Sequence, residues 1–270
     1  MTLVGAAVVP SAGQSWASAI TGFEAATGRP MPVRRTYDST TPSSVAASQL
    51  NHEVGQGRRT VHSIKCTAST SLSTLESLAA SIVDACLDVD LILHHEPVDN
   101  YTDGADYVAM YRRNCVPFRE AGIPVGVCYT NWSVNLAYAD ADSALAHFWP
   151  GEDVVDFVSI DEYPFNEITS TKDAVPMELR CRRIEQWCDA RGIDLGLAEY
   201  GVDGSWDAKR ADAWLRSVTR WAQLRASLGK PLRWMTYFSC IASPYDWRIT
   251  NKPEYVDSYV DSYRILDGST

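Results

Sequence analysis

Short apolar runs of strand character recur along the chain at a steady interval. They are LVGAAVV (3–9), PVRRTY (32–37), TVHSIKC (60–66), LILHH (91–95), PVGVCY (124–129), DFVSI (156–160), LGLAE (195–199) and RWMTYF (233–238). Successive starts lie roughly thirty to forty residues apart, the length of a strand, a helix and two loops. Helical periodicity fills the intervals. In SLSTLESLAASIVDACL, a start rich in capping residues precedes Leu75, Leu78, Ile82 and Val83 at helical spacing. ELRCRRIEQWCDARG places Leu179, Ile184, Trp187 and Cys188 in the same way before Gly192. In DAKRADAWLRSVTRWAQLRASLG, Trp214, Leu215, Val218 and Trp221 mark one face and Gly229 is the stop signal.

Eight strands alternating with helices, with no Pro/Gly/Ser-rich linker between any two, predict an α/β protein. The expected architecture is a single (β/α)8 barrel spanning residues 1–270 as one domain. An open doubly wound sheet would carry a glycine-rich phosphate loop after its first strand, and 9-VPSAGQSW-16 does not match GxGxxG. Neither GxxxxGK[ST] nor GxSxG occurs. The stretch 38-DSTTPSSVAASQ-49 reads as a long loop after the second strand.

Composition narrows the function. With 46% hydrophobic residues in 270, the chain is long enough for a large core. A net charge of −10 argues against a nucleic-acid partner, because phosphate neutralisation needs a basic face and none is visible in the sequence. Seven cysteines, irregularly spaced and without CxxC, predict reduced, buried thiols rather than a disulfide framework or a zinc cluster. The N-terminal apolar run lacks a basic leader, so no signal peptide is expected, and no run reaches membrane-spanning length. The expectation is a cytosolic protein, a phage-delivered one, or a domain of a longer parent chain.

In a (β/α)8 barrel the site lies at the C-terminal ends of the strands. Those ends carry Tyr37 and Asp38, Lys65, His94-His95-Glu96, Asn131-Trp132, 160-IDEYPFN-166, 198-AEYG-201, 237-YFSC-240 and 245-YDWR-248. Glu96 after strand four and Glu199 after strand seven can face each other across the mouth. Two facing carboxyls are what glycosidic bond cleavage needs, one to protonate the leaving oxygen and one to attack the anomeric carbon. Repulsion between two close carboxylates separates their titrations, so both states can coexist near neutral pH. The aromatic residues Trp132, Tyr163, Trp234 or Phe238, and Trp247 offer faces on which sugars stack. Side chains alternate along a strand, so one of His94 and His95 should turn outward to the helices. That alternation, and the absence of HExxH, argue against a metal at His94, His95 and Glu96, and no cofactor is expected.

The order of these motifs resembles the clan of (β/α)8 retaining glycoside hydrolases with catalytic glutamates on strands four and seven, most of all family 26, which holds β-mannanases and lichenases. The segment 93-LHHEP-97 is similar to that family's His-Glu motif, and 149-WPGEDVVDFVSIDEYPF-165 to its PG…VD…DxY stretch. Strand seven is represented by 197-LAEYG-201. The resemblance implies Glu96 as acid/base, Glu199 as nucleophile, His95 as the residue that orients Glu96 or contacts sugar, and Tyr163 as the tyrosine touching the nucleophile. Pro97 follows the His-Glu pair where family members commonly have Met-Asn-Gly, and Phe238 stands near the end of strand eight where a tryptophan is usual. Asn131, Trp132, Lys65, Phe238 and Trp247 are the expected further contacts to a polysaccharide or oligosaccharide. The alternative is a non-catalytic carbohydrate-binding or structural barrel of a larger assembly, such as a phage tail or a cell-surface protein.

Overall fold

The computed structural model describes residues 1–137, 143–164 and 174–267. Its eight parallel strands are β1 (Leu3–Val8), β2 (Val33–Asp38), β3 (Arg59–Ile64), β4 (Val89–Leu93), β5 (Val125–Thr130), β6 (Phe157–Glu162), β7 (Asp194–Tyr200) and β8 (Trp234–Ser239). They close in sequence order into one barrel, β1-β2-β3-β4-β5-β6-β7-β8. The fold is the (β/α)8 barrel predicted from the strand rhythm. Parallel strands in a closed barrel bring all their C-terminal ends to one rim, where barrels of this type carry their sites.

Contacts gather the residues into two compact units. The first is Met1–Arg34, Glu162–Glu185 and Leu195–Thr270; the second is Arg35–Asp161 with Gln186–Asp194. In the first, β1 runs in register with β8 from Leu3↔Trp234 to Val8↔Ser239. A glycine is required at position 5, because a Cβ there would lie 1.7 Å from the Val33 carbonyl oxygen. The helix Ala208–Ser227 covers this unit and buries Trp214, Leu215, Val218 and Trp221, the face predicted for it. Each such side chain contributes on the order of 1.5–3 kcal/mol of burial. Asp207 caps this helix by accepting from the Arg210 N–H at 2.9 Å.

In the second unit β3 pairs with β4 from Thr60↔Val89 to Ile64↔Leu93, and β5 with β6 from Gly126↔Phe157 to Thr130↔Asp161. The helices Leu72–Asp84 and Gly104–Asn114 pack outside these strands, burying Leu75, Leu78 and Ile82 from one and Tyr107, Met110 and Tyr111 from the other.

Two positions expected on buried helix faces are exposed. Val83 is 50% exposed, because the stripe Leu75, Leu78, Ala79 and Ile82 already fills the inward side and the next residue turns past it. Leu179 is 62% exposed because the expected helix is broken at Cys181: a single turn, Met177–Arg180, precedes the helix Arg182–Arg191, and Met177 is the residue that turn buries. None of the seven cysteines is in a disulfide and six are buried, while Cys86 is exposed. No helix among the described residues is long and apolar enough to cross a membrane. Phe165 and Asn166, quoted above from the end of strand six, lie outside the described residues.

Candidate active site

The second unit holds the β4 end. After Leu93 the backbone turns sharply: His94 has φ +58° and Glu96 φ +53°, both left-handed and neither a glycine. For an L-residue that region costs about 1–2 kcal/mol. Strain of this kind persists where surrounding structure enforces it, and it gathers at functional sites. Two backbone hydrogen bonds enforce it here. The His94 N–H donates to the Ile64 carbonyl at 2.9 Å, and the Glu96 N–H to the Cys128 carbonyl at 2.9 Å. Glu96, half-buried, then begins the turn Pro97–Asn100, whose Asn100 side chain donates back to the Glu96 carbonyl at 3.0 Å. The acid is thus fixed to its neighbouring strands at the residue itself.

The two histidines part company, His94 being turned to the helix side by its left-handed backbone. The ring of His94 is buried; its Nδ1 donates to the Cys66 carbonyl at 2.9 Å and its face meets Tyr101 edge-on at 4.9 Å. Tyr101 packs in turn on Tyr107 of the helix Gly104–Asn114, so His94 belongs to the helix side of the strand. His95 faces the other way, edge-on to Tyr37 at 5.9 Å, with the Arg35 guanidinium lying 4.4 Å over the Tyr37 ring. Burial, with the charges of Arg35 and Lys65 nearby, pushes the His95 imidazole down to about 3, so it is neutral in any ordinary buffer. Lys65 follows β3 and is half-buried, its N–H donating to the Asp38 carbonyl at 3.2 Å.

At the end of β5 the Asn131 N–H donates to the Asp161 carbonyl at 2.9 Å, and Asn131 is buried. Trp132 beside it is 54% exposed and presents a bare indole. Asp161 is buried and accepts from the Cys128 thiol at 3.3 Å. Among the described residues no group of three or more His, Cys, Asp or Glu is placed to hold a metal ion.

The first unit holds the β7 end. Register between β7 and β8 shifts between Leu197 and Tyr200, the segment that carries Glu199. Such irregularities re-aim a side chain at a strand end. Glu199 is buried, and the Tyr163 hydroxyl donates to its Oε2 at 2.7 Å. Burial, with the charges of Glu199 and Asp246 nearby, pushes the Cys240 thiol up to about 12.

An aromatic shell sets Tyr163. Phe238, half-buried at the end of β8, meets its ring edge-on at 5.9 Å, and Trp247 lies against it at 4.8 Å. Trp247 is buried, so the surface it supplies is the one that supports Tyr163. Of the two candidates on β8, Phe238 stands at the site. Trp234 is core: a Cβ on Gly196 would meet its indole at 2.7 Å, and it has no exposed surface on which a sugar could stack. On the side of β1 and β8 a cavity of about 300 Å³ opens between Val8, Gln14, Phe23, Ser239 and Arg248. Its arginine already pairs with Asp246 at 2.6 Å.

A positioning group absent from the sequence reading lies behind Tyr163. Arg180 donates from Nε to the buried Glu162 carboxylate and from a terminal nitrogen to the Tyr163 carbonyl at 3.0 Å. Its turn is docked by the Met177 N–H on Ser217 Oγ at 3.2 Å. The only sequence signal for it was an acid beside Tyr163 on the opposite face of β6, which calls for a cation in the helix layer.

No family model matches the chain, and no curated protein matches it. Solved structures do. The endoglucanase Cel5A from the hyperthermophile Thermotoga maritima superposes with a TM-score of 0.64 at 14% identity, over 97% of this chain and 96% of that one. The Bacillus subtilis mannanase BCman gives 0.58 at 12% identity, over 97% and 84%. The GH26 domain of an endo-β-mannanase/endo-β-glucanase from Prevotella bryantii gives 0.54 at 11%, over 96% and 88%. The likeness is one of fold. It is the barrel that the motif resemblance implied, at identities too low to carry residue roles with it.

Proposed function

We propose that residues 1–270 form a single catalytic domain, a retaining glycoside hydrolase acting on a β-linked polysaccharide or oligosaccharide. Glu199 is the nucleophile and Glu96 the acid/base. The observation that carries this reading is the 2.7 Å hydrogen bond from Tyr163 to the buried Glu199 carboxylate. A hydroxyl donor on a carboxylate oxygen fixes the orientation of a group that must attack along one line. The strained, doubly tethered backbone at Glu96 supports the second role, and the shared fold with β-glucanases and β-mannanases supports the substrate class.

The steps follow from two carboxyls. Glu96 gives its proton to the glycosidic oxygen while Glu199 attacks the anomeric carbon; the C–O bond to the leaving sugar breaks and a glycosyl ester forms on Glu199. Water, giving a proton to the Glu96 carboxylate, then attacks the same carbon. The ester bond breaks, Glu199 regains its charge, and Glu96 its proton. His95, neutral, contributes hydrogen bonds and no charge, while Asn131, Lys65, Trp132 and Phe238 contact sugar.

Reducing-end release across mannan, mixed-linkage glucan, xylan and bacterial cell-wall glycan tests the reading. Wild type is expected to cleave at least one of them, with Glu199→Gln and Glu96→Gln each losing at least about a hundredfold in kcat. Binding without cleavage by wild type on any glycan overturns it in favour of a carbohydrate-binding barrel of a larger assembly.

A further inference from the structure

The β2, β3 and β4 ends carry a positive charge that nothing in the fold uses. Strand alternation fixes which residues face the mouth. Thr36, Asp38 and His62 join Ser48: Thr36 Oγ1 lies 2.8 Å from His62 Nδ1, Asp38 3.2 Å from His62 Nε2, and Ser48 Oγ donates to Asp38 at 2.5 Å. The loop bearing Ser48 is tied to the helix Leu72–Asp84 by the Val45 N–H on Ser81 Oγ at 2.9 Å. The even positions therefore face the helices, and Arg35, Tyr37 and Lys65 face the barrel interior. His95 joins that inner set through Tyr37.

Lys65 has no carboxylate or hydrogen-bond acceptor for its ammonium among the described residues. That is unusual in a chain with 34 acids to 24 lysines and arginines. Three arginines withdrawn from solvent show the contrast: Arg58 pairs with Glu53 at 3.0 Å, Arg225 with Glu185 at 3.6 Å, and Arg180 with Glu162. Beside Lys65, the Nδ1 of His95 is buried with no hydrogen-bond partner among the described residues. An ammonium with no counter-charge on the protein gains a charge-assisted contact when a ligand supplies the anion. The neutral imidazole and Tyr37 suit sugar hydroxyls, whereas the lysine suits an anion.

We infer that the substrate is an acidic glycan, whose sugar carries a carboxylate or phosphate that pairs with Lys65 next to His95. The inference rests on the glycosidase reading for its site and extends it to substrate charge. A charge-assisted contact of this kind is expected to give about ten- to a hundredfold in affinity.

The test uses one β-linked backbone in three forms: cello-oligosaccharides, their 6-carboxylates and their 6-phosphates, each with its manno counterpart. Binding is measured by calorimetry on Glu199→Gln, where turnover does not interfere, and hydrolysis on wild type. The expected result is at least tenfold tighter binding of an anionic form than of its neutral parent. That ratio should fall to about one with Lys65→Met added and return with Lys65→Arg, with circular dichroism confirming that each variant is folded. A preference for the carboxylate points to a uronic acid, and one for the phosphate to a phosphorylated glycan. Equal or weaker binding of both anionic forms, or a preference that survives Lys65→Met, overturns the inference. If the anionic preference holds and wild type cleaves none of the chains, the charge assignment stands and the glycosidase reading falls.

Discussion

At the scale of single residues, Tyr163 and His95 bear the most specific expectations. The Tyr163 hydroxyl donates to Glu199 at 2.7 Å, and hydrogen bonds to charged groups contribute about 1.5–3 kcal/mol. Tyr163→Phe should therefore lower kcat/KM by about ten- to a hundredfold without unfolding, since the ring keeps its packing on Phe238 and Trp247. An unchanged kcat/KM on a cleaved substrate would show that Glu199 does not need this donor. His95 bears on stability instead. Its imidazole titrates near 3 in the folded protein, against about 6.5 unfolded. Between those values the unfolded chain binds the extra proton, so stability must fall as pH drops from about 6.5 towards 3. His95→Gln removes that contribution. Its melting temperature should decline less steeply than wild type's across this window, as read by thermal melts at half-unit steps of pH.

Strands and loops decide how those residues are held. Parallel strands buried on both faces read as continuous apolar runs, which is why all eight were legible in the sequence. Glu96 and Glu199 were legible for the same reason, as carboxylates placed where such a run ends. What the sequence concealed depends on partners chosen only by folding. Nothing in HHEP marks a backbone that turns left-handed twice in three residues, since glycine and asparagine are the usual signs of that turn. Trp247 looked like a sugar platform, but the packing turns its indole onto Tyr163. Arg180 had no visible partner, because Glu162 lies across a β/α connection. Its pairing makes an expectation at this scale. Arg180→Met removes the guanidinium paired with the buried Glu162 carboxylate and should cost about 3–5 kcal/mol in urea unfolding. Pairing it with Glu162→Leu should restore most of that loss, because an apolar pair can replace a buried ion pair. Activity should not return with stability, since the donor to the Tyr163 carbonyl is still missing. Recovery of both together would reduce Arg180 to a structural role.

For the molecule as a whole, the decisive quantity is how far apart the barrel holds its two carboxyls. The topology closes β1 to β8, and the strand order puts β4 and β7 three strands apart around the ring. Solved structures at 11–14% identity share this barrel, so the fold persists under widely different sequences. Glycosidases with carboxyls about 5–5.5 Å apart retain anomeric configuration, whereas those at about 6.5–9.5 Å admit a water and invert. Assigning Glu199 as nucleophile commits the protein to the shorter class. The Tyr163 hydrogen bond agrees with that role, because it orients a group that must itself attack, whereas an inverting base acts through water. Proton NMR of the first minutes of hydrolysis of a β-linked substrate should accordingly show the β-hemiacetal signal growing ahead of the α, with mutarotation bringing the α later. An α signal appearing first would reassign Glu199 from nucleophile to base.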